Sequence, residues 1–483
     1  MAHHAHVDAR RQPPADLLIV ATSAVLPGAD HTRPVAVEIR DGQIVALHDP
    51  AGPLPDAHRT HQLAADEVLL PALVDTHVHA NEPGRTHWEG LRTLTAAAAA
   101  GGIGTVVDMP LNCIPATVDL RSLAAKRDSC PTPSIDVTGW AGAVGGRLDE
   151  LPAMLAAGVP GAKAFMIDSG VVEFPALTTD DGLADAMRIL AAAGRPLLIH
   201  AEDAEVAAKT PITTGSHRYA ELLDARPPTV ESTAIDRIAA LARQTGAQVH
   251  VVHVSSAEGV AAVARAQRDG TRMTAESCPH YLALCAEELP DNDPAVKCFP
   301  PIRERHHQEA LWAGLADGIL SMVVSDHSPA PWTLKDTGDL ATAWGGIASI
   351  QLSLPVMWTA ARARAVPLTQ LIGWMAEQPA QLAGLPQKGR IAPGADADLV
   401  AFAPAATFTV DGQALRHRHP QTPYEGRSLH GVVRETWLRG TPVDPEHPHG
   451  RWLLGPIEPD LRDGRPVARD TTPSRATVVS PRA

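Results

Sequence analysis

Asp75-Thr76-His77-Val78-His79 follows the apolar run Val68-Leu69-Leu70-Pro71-Ala72-Leu73-Val74. On a strand, residues two apart share a face, so His77 and His79 would turn two imidazoles toward one point. Two converging imidazoles make half of a metal site. The chain carries 23 histidines, so a chance His-x-His is common and the pair needs its context. That context is a set of polar groups at the ends of other apolar runs. Lys163 lies within Gly161-Ala162-Lys163-Ala164-Phe165-Met166, and later runs end in His200-Ala201-Glu202, His253-Val254-Ser255-Ser256 and Ser325-Asp326-His327-Ser328. Imidazole and carboxylate suit zinc and related divalent ions. Taken singly, each has a plainer reading: His200 and His253 as hydrogen-bonded core histidines, Asp326 as a helix cap, Lys163 as a salt-bridged or snorkelling lysine. Lys163 is the hardest to set aside, because an ammonium among apolar strand residues must shed or pair its charge. The joint occurrence at successive strand ends argues against coincidence.

These groups need a scaffold that brings strand ends together. Apolar β-like runs at 68–79, 104–109, 134–139, 161–166, 196–200, 248–254, 272–276 and 321–325 alternate with Ala-rich helical stretches. Continuous apolar strands alternating with helices predict parallel strands buried on both faces. Eight of them predict a closed (β/α)8 TIM barrel, an α/β fold whose reacting groups sit at the C-terminal strand ends. The barrel is assigned to 68–387. Short strands with Pro and Gly turns at 15–67 and again at 388–440 predict a small β-sandwich-like module built from both flanks. Residues 1–14, with His3, His4 and His6, read as a mobile arm, and 441–483 as a C-terminal extension, partly disordered.

At 483 residues the chain has room for a barrel of roughly 250 residues plus an accessory. A formal charge of −14 excludes a broadly basic nucleic-acid or anionic-membrane surface and favours small-molecule chemistry. The cysteines, Cys113, Cys130, Cys278, Cys285 and Cys298, are odd in number and thinly spread, which points to a reducing cytoplasm. Arg10-Arg11 before Leu17-Leu18-Ile19-Val20-Ala21 is read against a twin-arginine leader, because Asp16 abuts the run and Thr22-Ser23 interrupt it. No apolar stretch approaches the roughly 20 residues that span a bilayer.

From about residue 16 to residue 402 the chain resembles the cyclic amidohydrolases, the group that holds dihydroorotases, dihydropyrimidinases, hydantoinases and allantoinases, and it looks most like the last. The matching segments are 75–85 together with His87-Trp88-Glu89-Gly90, then Asp108-Met109-Pro110-Leu111-Asn112-Cys113-Ile114-Pro115, Ser169-Gly170-Val171-Val172-Glu173-Phe174-Pro175, Ser325-Asp326-His327-Ser328-Pro329 and Ala343-Trp344-Gly345-Gly346-Ile347. The resemblance implies two divalent metal ions per subunit, with zinc as the expected metal. His77, His79 and Asp326 would hold one and His200 and His253 the other, with Lys163 carbamylated and bridging. It implies hydrolytic opening of the hydantoin ring of allantoin to allantoate, with Asp326 as the catalytic acid and base. A cytoplasmic homotetramer follows by the same analogy.

Departures bear on the substrate. Asn81 stands where dihydroorotases carry a carboxylate-gripping arginine, which counts against an anionic ring. No tyrosine follows Lys163 within Phe165-Met166-Ile167-Asp168-Ser169, unlike in dihydropyrimidinases and hydantoinases. Asn112, Phe299 and Gly345 are the expected substrate contacts by their motif positions, with Phe299 replacing a small or polar residue. Asn112 reads equally as a turn residue, and His250 as structural. A hydantoinase or dihydropyrimidinase is the enzymatic alternative; a noncatalytic scaffold member is the other, disfavoured by the complete ligand set.

Overall fold

The computed structural model describes residues 14–455. Eight parallel strands form the barrel: Leu73–Val78, Ile103–Asp108, Asp136–Gly139, Ala162–Phe165, Leu197–His200, Val249–Val251, Met273–Ser277 and Met322–Val323. Hydrogen bonding runs from the fourth strand through to the eighth and from the first to the third. The two groups join where Ala141–Gly142 continues the third strand onto the fourth and where Val78 bridges His327 in parallel. Each strand is followed by a helix on the outside, beginning with Leu91–Ala100 and ending with Ser353–Ala363. Apolar side chains from strands and helices merge in one large core, with Val106, Ile199, Val249 and Leu354 fully buried.

Helix starts follow local chemistry and set the strand ends that precede them. The Ser256 hydroxyl accepts the Gly259 N–H at 2.9 Å and caps Ala257–Arg268. The same hydroxyl donates to the buried Glu231 carboxylate, whose other oxygen accepts the Ser255 N–H at 2.8 Å. The segment after His253 is thereby fixed at both ends. Thr179 caps Asp180–Ala193 in the same way, and Gly194 closes that helix in the left-handed conformation.

A second sheet gathers both flanks. Its order is Thr441–Pro442, Ser428–Leu438, Leu399–Thr409, Val68–Pro71, Leu17–Ala24, Arg33–Arg40, Gln43–His48, with Thr60–Gln62 also against Leu17–Ala24. Strand alternation sends Leu17, Ile19 and Ala21 into one cluster with Val37, Leu399 and Trp437, and Leu18 and Val20 into another with Ala36.

The expectation of a single barrel strand over 68–79 needs correction. Val68–Pro71 pairs with Leu399–Thr409 in the flanking sheet, and the barrel strand begins only at Leu73, paired to Ile103. Pro71 has no N–H for a central ladder, so the chain changes sheets beside it. Reading 441–483 as an extension also needs refinement: Thr441–Pro442 closes the flanking sheet, and residues 450–455 pack back on the barrel. Leu453 N–H reaches Val137 O at 2.8 Å, and the Trp452 indole donates to Cys130 O at 2.9 Å. Residues 1–13 and 456–483, which include most of the expected arm and tail, lie outside the described residues. No helix among the described residues is long and apolar enough to cross a membrane.

Barrel and flanking sheet are bolted by a buried charge cluster. Lys388 Nζ sits 2.6 Å from Asp136, 2.6 Å from Asp398 and 2.8 Å from Asp396, and Arg439 adds a 2.7 Å contact to Asp136. Burial lowers the lysine's pKa, but the three carboxylates raise it further and hold the ammonium charged. Removing the cation would leave buried carboxylates facing one another. Lys388→Ala is expected to cost about 3–5 kcal/mol in urea unfolding; a change below about 1 kcal/mol would show that the cluster is dispensable.

Candidate metal centre

One side chain draws the first and eighth strands together. The Asp75 carboxylate accepts the His77 N–H at 3.1 Å and the Ser325 N–H at 3.1 Å. Burial pushes this carboxyl up to about 7, against the pull of those hydrogen bonds. The Trp140 indole donates to Thr76 O at 2.8 Å, tying in the third strand end. Asp108 accepts the Ala80 N–H at 2.7 Å and is itself paired with the buried Lys126. The segment carrying His77 and His79 is therefore held by three side chains, Asp75, Trp140 and Asp108, before any ion is considered.

At this mouth the structure brings together His77, His79 and Asp326: His77 Nε2 is 3.2 Å and His79 Nε2 3.4 Å from Asp326 Oδ1. His200 Nδ1 lies 3.0 Å from His253 Nε2. The His77 and His253 ring centroids are 5.4 Å apart, so the two groups form one cluster. Lys163 reaches it from the fourth strand. Its side chain is buried, its Nζ has no hydrogen-bond partner, and it stands 5.1 Å above the Phe165 ring. Phe165 in turn stacks on His200 at 4.5 Å.

Hydrogen bonds on the far side of the His77 and His200 rings settle which nitrogen faces inward. His77 Nδ1 lies 2.5 Å from Glu276 Oε1, so it carries the proton and Nε2 presents a lone pair. That lone pair points at a carboxylate oxygen, an acceptor facing an acceptor. Burial lowers the His77 pKa despite the nearby carboxylates, keeping the ring neutral; a cation between the two atoms removes the conflict. His200 Nε2 donates to Glu202 at 2.7 Å, leaving Nδ1 for the interior. For His253, burial and then His200 hold the pKa well below the usual value. Burial raises the Asp326 carboxyl, yet His77, His79 and His253 pull it net below the ordinary range. At Lys163 burial outweighs Glu276 and Asp326 and brings the amine to about 7. The His77, His200 and His253 imidazoles, whose charged forms burial disfavours, together with an ionised carboxylate and an unpartnered amine, are a donor set that fits divalent cations.

The backbone is contorted where these groups project. His253 and Asp326 have φ of 41° and 45°, and Asn81 and Asn112 have 59° and 63°. Left-handed non-glycine residues are uncommon and gather at functional sites.

Asn112 meets His79, with Nδ2 3.4 Å from Nδ1; with its amide turned, Oδ1 would accept that ring's N–H, an orienting role. Phe299 and Gly345 do adjoin: a Cβ on Gly345 would stand 3.4 Å from the Phe299 ring, ordinary contact. The glycine that the backbone demands is the next one. Gly346 has φ of +135° and a Cβ there would lie 2.2 Å from Ser328 O. Asn81 is buried and donates to Pro329 O at 3.1 Å. Arg85 pairs with Glu173 at 3.2 Å and donates to Asn112 O at 3.1 Å, closing three loops together.

Glu276 and Glu202 are absent from the sequence-based set. Glu276 also accepts from His250 Nε2 at 2.9 Å, so His250 is linked to His77 through this one carboxylate. Strand alternation placed it opposite His253, but the strand ends at Val251 and alternation stops there. An acidic residue near the end of the seventh apolar run was the available signal for Glu276. Glu276→Gln is expected to weaken zinc binding about 10–100-fold, measured by chelator competition. Unchanged affinity would remove Glu276 from this role.

The amidohydrolase family model matches residues 68–443. The chain is 48% identical to an allantoinase of Streptomyces avermitilis over 91% of its own length and 98% of that protein. It is 39% identical to a Saccharomyces cerevisiae allantoinase, covering 78% of this chain and 82% of that one. Among solved structures, an L-hydantoinase (dihydropyrimidinase) from Arthrobacter aurescens superposes with a TM-score of 0.83 at 28% identity, covering 91% of this chain and 99% of the other. With a buried donor cluster at the mouth of a (β/α)8 barrel and these relatives spanning most of its length, the chain belongs to the amidohydrolase family.

Proposed function

We propose that this protein hydrolyses the hydantoin ring of allantoin to allantoate. The observation that carries the chemistry is the convergence of His77, His79, His200, His253 and Asp326 around the unpartnered Lys163 amine. The substrate rests on similarity to allantoinases along nearly the full length of the relatives. In this reading His77, His79 and Asp326 would hold one divalent ion and His200 and His253 a second, with a carbamylated Lys163 as their shared ligand and zinc as the expected metal. When bound, such ions polarise a carbonyl and lower the pKa of water from 15.7 to about 7.

The chain's own residues do the rest. Burial brings the Lys163 pKa down to about 7, which makes the uncharged amine accessible near neutral pH. An uncharged amine can add to carbon dioxide, forming an N–C bond and releasing a proton. Asp326 takes a proton from the attacking water and delivers it to the ring nitrogen as the carbonyl C–N bond breaks. Glu276 and Glu202 keep His77 and His200 in the required tautomers. The Arg85 to Glu173 contact holds the loops at the mouth and leaves that guanidinium paired, consistent with a neutral ring. A homotetramer serving purine catabolism in the cytoplasm extends the family analogy.

The likeness to hydantoinases supports hydantoin turnover as a second reading. Assay of metal-replete protein on allantoin, hydantoin, dihydrouracil and dihydroorotate separates the two. The expected result is highest kcat/KM on allantoin; faster turnover of hydantoin or dihydrouracil would move the assignment. Asp326→Asn should lower kcat about 10²–10⁴-fold, and a near-normal rate would remove its proton-transfer role.

A further inference from the structure

Beyond the seventh strand, Cys278 precedes the short helix Pro279–Ala283, which carries His280. The Cys278 thiol, a ring nitrogen of His280 and a carboxylate oxygen of Asp326 all lie within 4.8 Å of one another, and all three residues are buried. His280 is the informative member. It is fully buried, its ring packs edge-on against Tyr281 at 4.1 Å, and neither of its nitrogens has a hydrogen-bond partner. A buried imidazole with both nitrogens unsatisfied is rare in folded proteins and calls for a ligand or an ordered water. Here it faces a thiol and a carboxylate.

We propose that Cys278, His280 and Asp326 form a second, inhibitory site for a soft divalent ion, with Asp326 shared between that site and the hydrolytic cluster. Thiolate, imidazole and carboxylate are a zinc or cadmium donor set, and water completes a tetrahedron. Bonds of about 2.0–2.3 Å to one ion need donor atoms within roughly 4 Å, so the three side chains close by under about 1 Å. On binding, the Cys278 S–H bond breaks, its proton leaves to solvent, and sulfur bonds to the ion; nothing is oxidised or reduced. The cost falls on Asp326. A carboxylate drawn into this site loses basicity and shifts from the Nε2 atoms of His77 and His79, now 3.2 and 3.4 Å away. The thiol supplies selectivity, since magnesium and calcium favour oxygen donors and would bind poorly.

The inhibition arm rests on the proton-transfer role of Asp326 given above, whereas binding at the site does not. The test titrates cadmium chloride into metal-replete protein freed of excess ions, following thiolate-to-cadmium absorption in the near ultraviolet, resident and added ions per chain, and the rate of ring hydrolysis. The expected result is one added ion per chain, with the absorption rising as the rate falls and resident ions retained. Cys278→Ser should keep the untitrated rate and lose the band, and both it and His280→Gln should need at least about tenfold more cadmium for the same loss of rate. A Cys278→Ser variant inhibited at the wild-type cadmium concentration would overturn the proposal. So would a band abolished by Cys298→Ser and kept in Cys278→Ser, or inhibition that tracks release of the resident ions. If no substrate is turned over, the band and the ion count still decide whether the site exists.

Discussion

Desolvation of the Lys163 amine at the centre of the barrel is the constraint to which the surrounding structure answers. An ammonium in a low-dielectric interior is very costly, and the negative charge of Glu276 and Asp326 offsets only part of that cost. The amine falls to about 7 and has nothing to donate to. A lysine kept in that condition weakens the fold unless it is converted to something else. The proposed carbamylation would turn the buried amine into a two-oxygen anion, balanced by cations held on the surrounding imidazole lone pairs.

Around that centre the pattern is one of oriented rings. His77 is turned by Glu276 and His200 by Glu202, while Asn112 stands against the outer nitrogen of His79. Asp75 pins the first strand to the eighth, where His77 must face Asp326. The backbone bends into the left-handed region at His253 and Asp326 to complete the convergence. Fold and chemistry meet in these contacts: Asp75 holds the first and eighth strand ends together, while Glu276 and Glu202 decide which nitrogen of His77 and of His200 is free.

Much of this was legible in the chain. His77, His79, His200, His253 and Asp326 each sit at the end of an apolar run and Lys163 inside one, and the barrel turns that one-dimensional pattern into a ring of neighbours. The orienting shell was harder to read. Glu276 ends its run as visibly as the others, but a lone acidic residue carries no spacing signature until its partners, His77 and His250, are known. The break between Val68–Pro71 and Leu73–Val78 was concealed by continuous hydrophobicity, with Pro71 the sole warning. Gly345 and Gly346 are indistinguishable as letters, and only the φ of +135° separates them. Docking of residues 450–455 depends on Trp452 and backbone pairing with Val137, contacts too distant in sequence for any periodicity to reveal.

Substrate choice follows from what faces the cluster. Asn81 is committed to Pro329 O and Arg85 to Glu173, so neither supplies a free cation for a ring carboxylate. The account depends most on the state of Lys163. The direct measurement is a crystal structure of active protein grown with zinc and bicarbonate, with anomalous density locating the ions. The account predicts two peaks, one at His77, His79 and Asp326 and one at His200 and His253, with density for a carbamate extending from Lys163 Nζ between them. Fully active crystals in which the Lys163 density ends at a free amine would contradict it.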